Sequence, residues 1–482
     1  MTSRILTAPR RTGGGGAERI ASAGAIGALS AAVGLAAGAV PVVLVGLTGL
    51  IVGALATMAW PGLVLFGTLL VRPSLDSSGS LISLGSINLA GVIAGALCFA
   101  GGLALLVKRP RLPAKGAALP FLLLLALALL SVSYAPEPAD AFRTWVRLGA
   151  LIVLFWLAVW VTREVSDLQR IVTIILASAV LPIAVGLWQL VTGSGLVGRG
   201  QGGASHTAPP STFVHPNGFA FFLLIVVALG LVALLETRDR LLRAVLSVGL
   251  AIATACLFFT YTRSAWVGLA VLVILVAAME YRRLLGTMAI GAVLALLALP
   301  SFIGSVERRF QDLSGSAGYT ADSLEWRTEN WSRMFPYAQE SPLTGHGLAS
   351  YLPLSRREFH PFEGAFVSDP TKTPESAEEG QPGVGAHNDY VEFAVELGYT
   401  GALLWIATLV VLAAAMLRAR KVPGVRPYAT AAFAVIAVFM GISAFDHVRG
   451  NGPVVFALAA LCGGIVGVSQ RSGRNEPPTA TG

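Results

Sequence analysis

Two residues in this sequence pair a reactive side chain with a position where it could be used. They are His387, in Gly385-Ala386-His387-Asn388-Asp389-Tyr390, and Arg263, in Tyr261-Thr262-Arg263-Ser264. Asp389 and Glu392 have the spacing of a capping box, which predicts a helix from near Asn388 to Gly398. His387 then stands at a helix N-terminus, where the positive end of the macrodipole disfavours imidazolium. A neutral imidazole at pH 7 can take a proton, as a general base must. A surface histidine ahead of a helix would satisfy the same spacing. Arg263 lies between two apolar runs, where an arginine is costly unless it reaches the interface or meets an anion. Its planar fork suits phosphate oxygens, whether of a diphosphate substrate or of lipid headgroups.

Further candidates surround these two. Arg199, Arg327 and Arg449 fall near predicted membrane boundaries and together would make a basic pocket. His215-Pro216-Asn217 reads as a turn entering a helix, with Asn217 as the N-cap. Trp326, Trp331, Tyr337 and Tyr351 supply aromatic faces of the kind that stack on sugar rings. No P-loop, D-x-D pair or H-E-x-x-H is present, which argues against ATPase, metal-dependent nucleotide-sugar and zinc-protease chemistry. Cys98, Cys256 and Cys462 sit singly in apolar runs, so neither zinc ligation nor a disulfide framework is indicated. No cofactor and no metal are expected.

The elements that must position these residues are bilayer-spanning helices. The 482 residues are 55% hydrophobic and 12% charged, half the charge of an ordinary soluble chain, and the class is an all-α polytopic membrane protein. Apolar runs at about 87–107, 117–134, 147–162, 170–192, 216–236, 243–260, 264–280, 284–304, 398–418, 427–446 and 452–469 are long enough to cross a bilayer. Residues 20 to 71 are broken by Pro41 and Pro61. Lys108, Arg109, Arg163, Arg170, Arg238, Arg240, Arg282, Arg283, Arg418 and Arg420 lie in alternate loops, which the positive-inside rule puts in the cytoplasm with both termini. Parity then favours twelve helices, within a range of twelve to fourteen, with a re-entrant or partial segment near the start. The net charge of +8 follows from this pattern and needs no nucleic-acid partner.

The expected organisation is a basic cytoplasmic N-terminus (1–19), N-terminal transmembrane helices (20–304), a large extracytoplasmic loop (305–397), C-terminal transmembrane helices (398–469) and a cytoplasmic tail (470–482). The loop carries 15 acidic and 7 basic residues, so it contrasts with the basic loops of the other face. Its stretch from 364 to 386, rich in Pro, Gly, Glu and Ser, reads as an excursion within it.

In this order and on these loops, the motifs resemble the O-antigen ligase and polymerase family of bacterial membrane glycosyltransferases. The matching residues are Arg327 and Trp331; Pro342, Gly345 and Gly347; His387, Asn388 and Tyr390; Glu396, Gly398 and Gly401. Thr262-Arg263-Ser264 and His215-Pro216-Asn217 resemble the family's upstream motifs. The resemblance implies metal-independent transfer of a glycan from an undecaprenyl-diphosphate carrier to an acceptor hydroxyl, outside the cytoplasmic membrane and with inversion. It implies His387 as the base and Arg263 as the diphosphate ligand, with Arg199, Arg327, Asn388, Tyr390 and Trp331 binding substrate. The acceptor could be a saccharide, lipid A core or a protein, and nothing in the sequence separates polymerase, ligase and protein O-oligosaccharyltransferase. A lipid-linked glycan transporter is the reading from another class. The spans carry almost none of the intramembrane acids expected of one.

Overall fold

The computed structural model describes residues 42–77, 83–84, 87–110, 115–199, 206–283, 285–286, 324–358 and 385–472. The expected span at 284–304 and much of the large loop lie outside these residues, as does the start of the 20–71 stretch. Helix α1 (Val42–Ala59) meets α2 (Pro61–Val71) at a 110° bend. Pro61 at the second helix's N-terminus supplies no N–H to continue the first. A re-entrant or partial segment was expected in this stretch, and a pair bent this far is either one broken span or a re-entrant loop. After a short β1–β2 hairpin (Ser83–Leu84, Ile87–Asn88), α3 (Leu89–Gly95) passes through a π-helical stretch into α4 (Gly102–Lys108). Then follow α5 (Lys115–Ser131), α6 (Pro138–Val161), α7 (Val165–Ser178) and α8 (Val180–Thr192). The hairpin β3–β4 (Val197–Arg199, His206–Ala208) leads to α9 (Pro216–Glu236), α10 (Arg240–Phe259) and α11 (Arg263–Met279). The large loop contributes α12 (Leu324–Glu340) and α13 (Tyr351–Glu358), and the chain ends on α14 (Asp389–Ala419), α15 (Arg426–Ile442) and α16 (Gly452–Ser472).

Among the described residues, seven helices or helix pairs are long and apolar enough to cross a membrane, and the bent α1–α2 pair would make an eighth. Three shorter apolar helices, α5, α11 and α15, stand among them. Burial sorts these elements. The most apolar part of α9 is 78% buried, with Phe219, Phe221 and Phe222 fully enclosed, whereas that of α10 is 17% buried. A helix apolar on all sides and buried belongs at a bundle centre; one apolar and exposed belongs against lipid. Helices α6 and α16 form the tightest pair, and Gly463 and Gly467 of α16 let the backbones approach at Phe155 and Val159.

Of the boundaries that differ from the sequence expectation, two matter for the site. The span placed at 147–162 begins at Pro138, because Asp140, Arg143 and Arg147 are carried on the helix rather than ahead of it. The span placed at 427–446 stops at Ile442, so Ser443–Asn451 form a turn joining α15 to α16.

Helix α14 is interrupted at Gly398 (φ 69°, ψ 179°). That conformation is accessible essentially to glycine alone. The break lets the carbonyls of Val395 and Glu396 accept the N–H groups of His346 and Gly347, at 3.0 and 2.9 Å. In return, the Tyr399 N–H donates to Pro342 O at 2.8 Å. A Cβ on Gly398 would lie 2.6 Å from Pro342 O. The two glycine motifs at 342–347 and 396–401 are therefore one docking joint, fastening the large loop to α14 through backbone alone. At the opposite end of the bundle, Glu280 of α11 clasps Arg426 at 3.0 Å and Arg420 at 3.6 Å, tying α11 to α14 and α15.

Candidate active site

The loop-bearing end of the bundle gathers the polar residues. His387 adopts a left-handed backbone conformation (φ 46°) just before the helix it was expected to precede. Asn388 is that helix's N-cap, its Oδ1 accepting from the N–H groups of Tyr390 (3.0 Å) and Val391 (3.1 Å). This corrects the capping-box expectation, because Asp389 and Glu392 turn toward the 443–449 segment instead. The Asp389 Oδ2 accepts from Ser443 Oγ (2.8 Å) and from the N–H groups of Val448 and Arg449 (both 3.2 Å), while its own N–H donates to Ser443 O. One carboxylate thus fixes the turn between α15 and α16.

That turn presents Asp446 to His387. The Asp446 Oδ1 lies 3.5 Å from His387 Nδ1, and the Asp446 side chain is 7% exposed against 30% for His387. Asn217 Nδ2 donates to the second carboxylate oxygen at 2.6 Å, and Thr262 Oγ1 donates to Asn217 Oδ1 at 3.1 Å. A continuous polar chain therefore runs from Thr262, the residue before Arg263, through Asn217 and Asp446 to His387. Asn217 is not the N-cap of α9 as expected. His215 holds that place, its Nδ1 accepting from the Asn217 N–H, which leaves the Asn217 amide for Asp446. Thr262 likewise occupies the N-cap position of α11 but turns its hydroxyl to Asn217.

The electrostatics suit a base. Burial pulls the His387 pKa down from its ordinary value, and the hydrogen bonding and charge of Asp446 only partly oppose this, so the ring is neutral at pH 7. Burial pushes the Asp446 carboxyl up, but His387 and then Arg327 outweigh it and hold the group ionised well below the usual carboxylate range. An ionised carboxylate on the Nδ1 side favours the tautomer with the proton there and the Nε2 lone pair free, a carboxylate–imidazole arrangement that orients a base.

Arg327, on α12, donates to the Phe445 carbonyl and so touches the turn rather than open space. Trp331, one turn further, donates from its indole N–H to Ala386 O at 2.6 Å, and Tyr390 donates from its hydroxyl to Met440 O at 2.7 Å. The polar atoms of Trp331, Asn388 and Tyr390 thus hold His387 and its helix in place, leaving their ring and aliphatic faces for any ligand contact. Arg199 ends β3 and pairs in register with His206, and Trp326 lies on α12.

Arg449 departs from the expected basic pocket. Its side chain is 7% exposed, reaches Glu392 at 2.5 Å and Glu396 at 3.1 Å, and lies 4.2 Å over the Phe393 ring. It neutralises acids of α14 and presents no charge outward. His447 Nδ1 faces Glu392 at 2.9 Å and Asp389 at 3.5 Å. Burial opposes charge on this ring, but Glu392 outweighs it and, with Asp389, raises the pKa to about 10. Its Nε2 also lies 3.2 Å from the His387 backbone nitrogen, in position to accept that N–H when unprotonated. Ligand atoms of Asp389, Glu392 and His447 lie within 4.8 Å of one another, a spacing that would suit a cation. The Arg449 guanidinium already supplies positive charge to this group, so it is read as structural.

Sequence reasoning missed Asp446 because the apolar run was carried through it. The available signal was Asp446-His447 followed by Gly450-Asn451-Gly452-Pro453, an ionisable pair running into a turn. Residues 248–406 match the family described as O-antigen ligase. The matched segment contains Arg263, Arg327, His387 and the 342–401 glycine joint, whereas Asn217 and Asp446 lie outside it. No curated protein matches the chain.

Proposed function

We propose, taking as premise that residues 248–406 carry the O-antigen ligase family's sequence pattern, that this membrane protein transfers a glycan from a polyprenyl-diphosphate carrier to an acceptor hydroxyl. The observation that carries the proposal is the polar chain from Thr262 to His387, which ties a candidate base to the helix start bearing Arg263. In this reading His387 Nε2 takes the proton of the acceptor hydroxyl while that oxygen attacks C1 of the donor sugar. The bond from C1 to the phosphate oxygen breaks, and the electron pair leaves with the diphosphate. Attack opposite the leaving group inverts the anomeric centre. Arg263 meets the charge that develops on the diphosphate, where a fixed guanidinium acts most strongly in a site shielded from water. Asp446 stabilises the imidazolium as it forms, and Asn217 holds the carboxylate in register. No metal is required, because the diphosphate linkage is already activated.

The site would face away from the cytoplasm, on the side opposite the basic loops, and the bundle would sit in a bacterial cytoplasmic membrane as twelve helices. Acceptors in this reading are another lipid-linked saccharide, as in a polymerase, or lipid A core, as in a ligase; protein hydroxyls are the third class. The test uses purified protein, a lipid-diphosphate oligosaccharide and each acceptor class in turn. Higher oligomers from donor alone identify a polymerase, and product that needs lipid A core or a peptide identifies the other two. His387→Ala and Arg263→Ala are each expected to abolish transfer with membrane insertion intact. Full product from either variant removes that residue's role, and movement of intact donor across vesicles without transfer replaces the enzyme with a transporter.

A further inference from the structure

Helix α10 ends at Phe259, Thr260 keeps right-handed helical geometry, and the next residue, Tyr261, takes the left-handed conformation at φ 53°. Helices commonly close this way, but on glycine, because a side chain at positive φ crowds the neighbouring backbone. Gly193 fills that role after α8. For a bulky residue the conformation is an outlier, and such strain persists only where the surroundings over-determine it. The 260–262 turn is held in that way. The Tyr261 N–H donates to Phe258 O at 3.1 Å, Thr260 Oγ1 to Leu257 O at 2.7 Å and Thr262 Oγ1 to Asn217 Oδ1 at 3.1 Å. None of these bonds uses the tyrosine side chain, so glycine would serve the turn with less strain.

Tyr261 is half-buried and stands at the junction of α10 and α11, two residues before Arg263, which begins α11. Trp266, one turn into α11, approaches its ring at a centroid distance of 6.4 Å and a tilt of 50°. Phe258, in the last turn of α10, packs on Trp266 at 5.6 Å. These rings back the tyrosine at an angle rather than covering it face to face. Thr262, between Tyr261 and Arg263, ties the turn through Asn217 to Asp446 and so to His387. A partly exposed aromatic ring is thus fixed beside the start of α11, on the turn wired to the candidate base, in a backbone conformation that disfavours it.

We propose that Tyr261 is the platform on which the donor's first sugar rests, its aromatic face set against the C–H face of the sugar ring next to the diphosphate. This assignment rests on the transferase reading given above, in which Arg263 holds that diphosphate. A sugar joined to a diphosphate at Arg263 comes within reach of the residues flanking it. A tyrosine there offers a large, rigid contact face with little rotamer freedom to lose. Tyr261 then reads the glycan, while the Arg263 guanidinium reads the phosphates that every carrier shares.

The test is binding, so it does not depend on turnover. The full chain in neutral-lipid nanodiscs is titrated with bare undecaprenyl diphosphate and with the same lipid bearing glucose, galactose or N-acetylglucosamine. Wild type is compared with Tyr261→Phe, Tyr261→Ala, Tyr261→Gly and Arg263→Gln. Wild type is expected to bind at least one glycosylated lipid more tightly than the bare one. Tyr261→Ala and Tyr261→Gly are expected to weaken that lipid tenfold or more and the bare lipid less than twofold, while Tyr261→Phe stays close to wild type. Both small variants lose the ring, but glycine relieves the left-handed strain, so the thermal midpoint of Tyr261→Gly lies above that of Tyr261→Ala. Affinity that follows the midpoint, returning in Tyr261→Gly, makes the turn and not the ring responsible and overturns the proposal. Equal loss on bare and glycosylated lipids makes Tyr261 an interface anchor and also overturns it, as does a wild type with no preference for any sugar. Arg263→Gln is expected to weaken all four lipids. If it does while Tyr261→Gly does not discriminate, the transferase reading stands and the sugar platform fails. If it weakens none while Tyr261→Gly still discriminates, the sugar contact stands and Arg263 loses its part in the transferase reading.

Discussion

Replacing Asp446 by Asn tests the His387 assignment without disturbing its surroundings. The amide has the carboxylate's shape and keeps an oxygen for the Asn217 Nδ2 donor now bound at 2.6 Å. What is lost is one negative charge 3.5 Å from His387 Nδ1. At that distance, with an effective dielectric of about 20 to 40 for a part-open site, Coulomb's law gives about 2 to 5 kcal/mol of imidazolium stabilisation. Because the imidazolium forms only as the acceptor proton moves, this energy belongs to the transition state, and its loss slows transfer by roughly two to three orders of magnitude. The pH profile adds a sign. Asp446 raises the His387 pKa, so its removal lets burial pull that pKa down further. The neutral base then persists to lower pH, and the acid limb of the rate profile moves to lower pH even as the plateau falls. Both are read from initial rates of lipid-linked saccharide transfer between pH 4.5 and 8. A variant within threefold of wild type, or one whose acid limb stays where it was, would refute the coupling of Asp446 to the base.

Other expectations follow from the packing. Arg449→Met leaves Glu392, Glu396 and Asp389 buried without their guanidinium, which costs about 3 to 5 kcal/mol and lowers the thermal midpoint in detergent; an unchanged midpoint would mean those acids are not ionised together. Gly398→Ala forces a Cβ against Pro342 O in a glycine-only backbone conformation and is expected to destabilise by about 3 kcal/mol or more. Proteolysis near residues 342–347 would report that loss as undocking of the loop. Asn217→Ala frees one oxygen of a buried carboxylate, so it is expected to lower the transfer rate through mispositioned Asp446, with Asn217→Asp failing to rescue because it sets two acids together.

Periodicity and apolar run length located most of the described spans, because a bilayer demands long uninterrupted helices and the sequence displays them directly. Arg263 stood out as a charge between two apolar runs, and His387 by its place just ahead of the helix that the 388–398 spacing announces. Asp446 was not, since one acid at the end of a run does not break the hydropathy that defines it. Arg449 was legible as a charge but misread, because its partners sit more than fifty residues earlier on α14 and only the fold brings Glu392 and Glu396 beneath it. Arg143 and Arg147 were passed over because a span was assumed to start after its charges, whereas Pro138 starts the helix before them.

Helix α12 holds more than the segment carrying His387. Within one turn of it, Arg333 donates to the Glu358 carbonyl at 3.1 Å, Asn330 to the Gly385 carbonyl at 3.4 Å and Trp331 to that of Ala386. The chain leaves this helix at Glu358 and returns to it at Gly385, so departure and arrival are pinned to the same few residues. Both clamps are made by residues outside 359–384, which makes grafting a foreign 359–384 segment a direct way to ask whether that stretch chooses the acceptor.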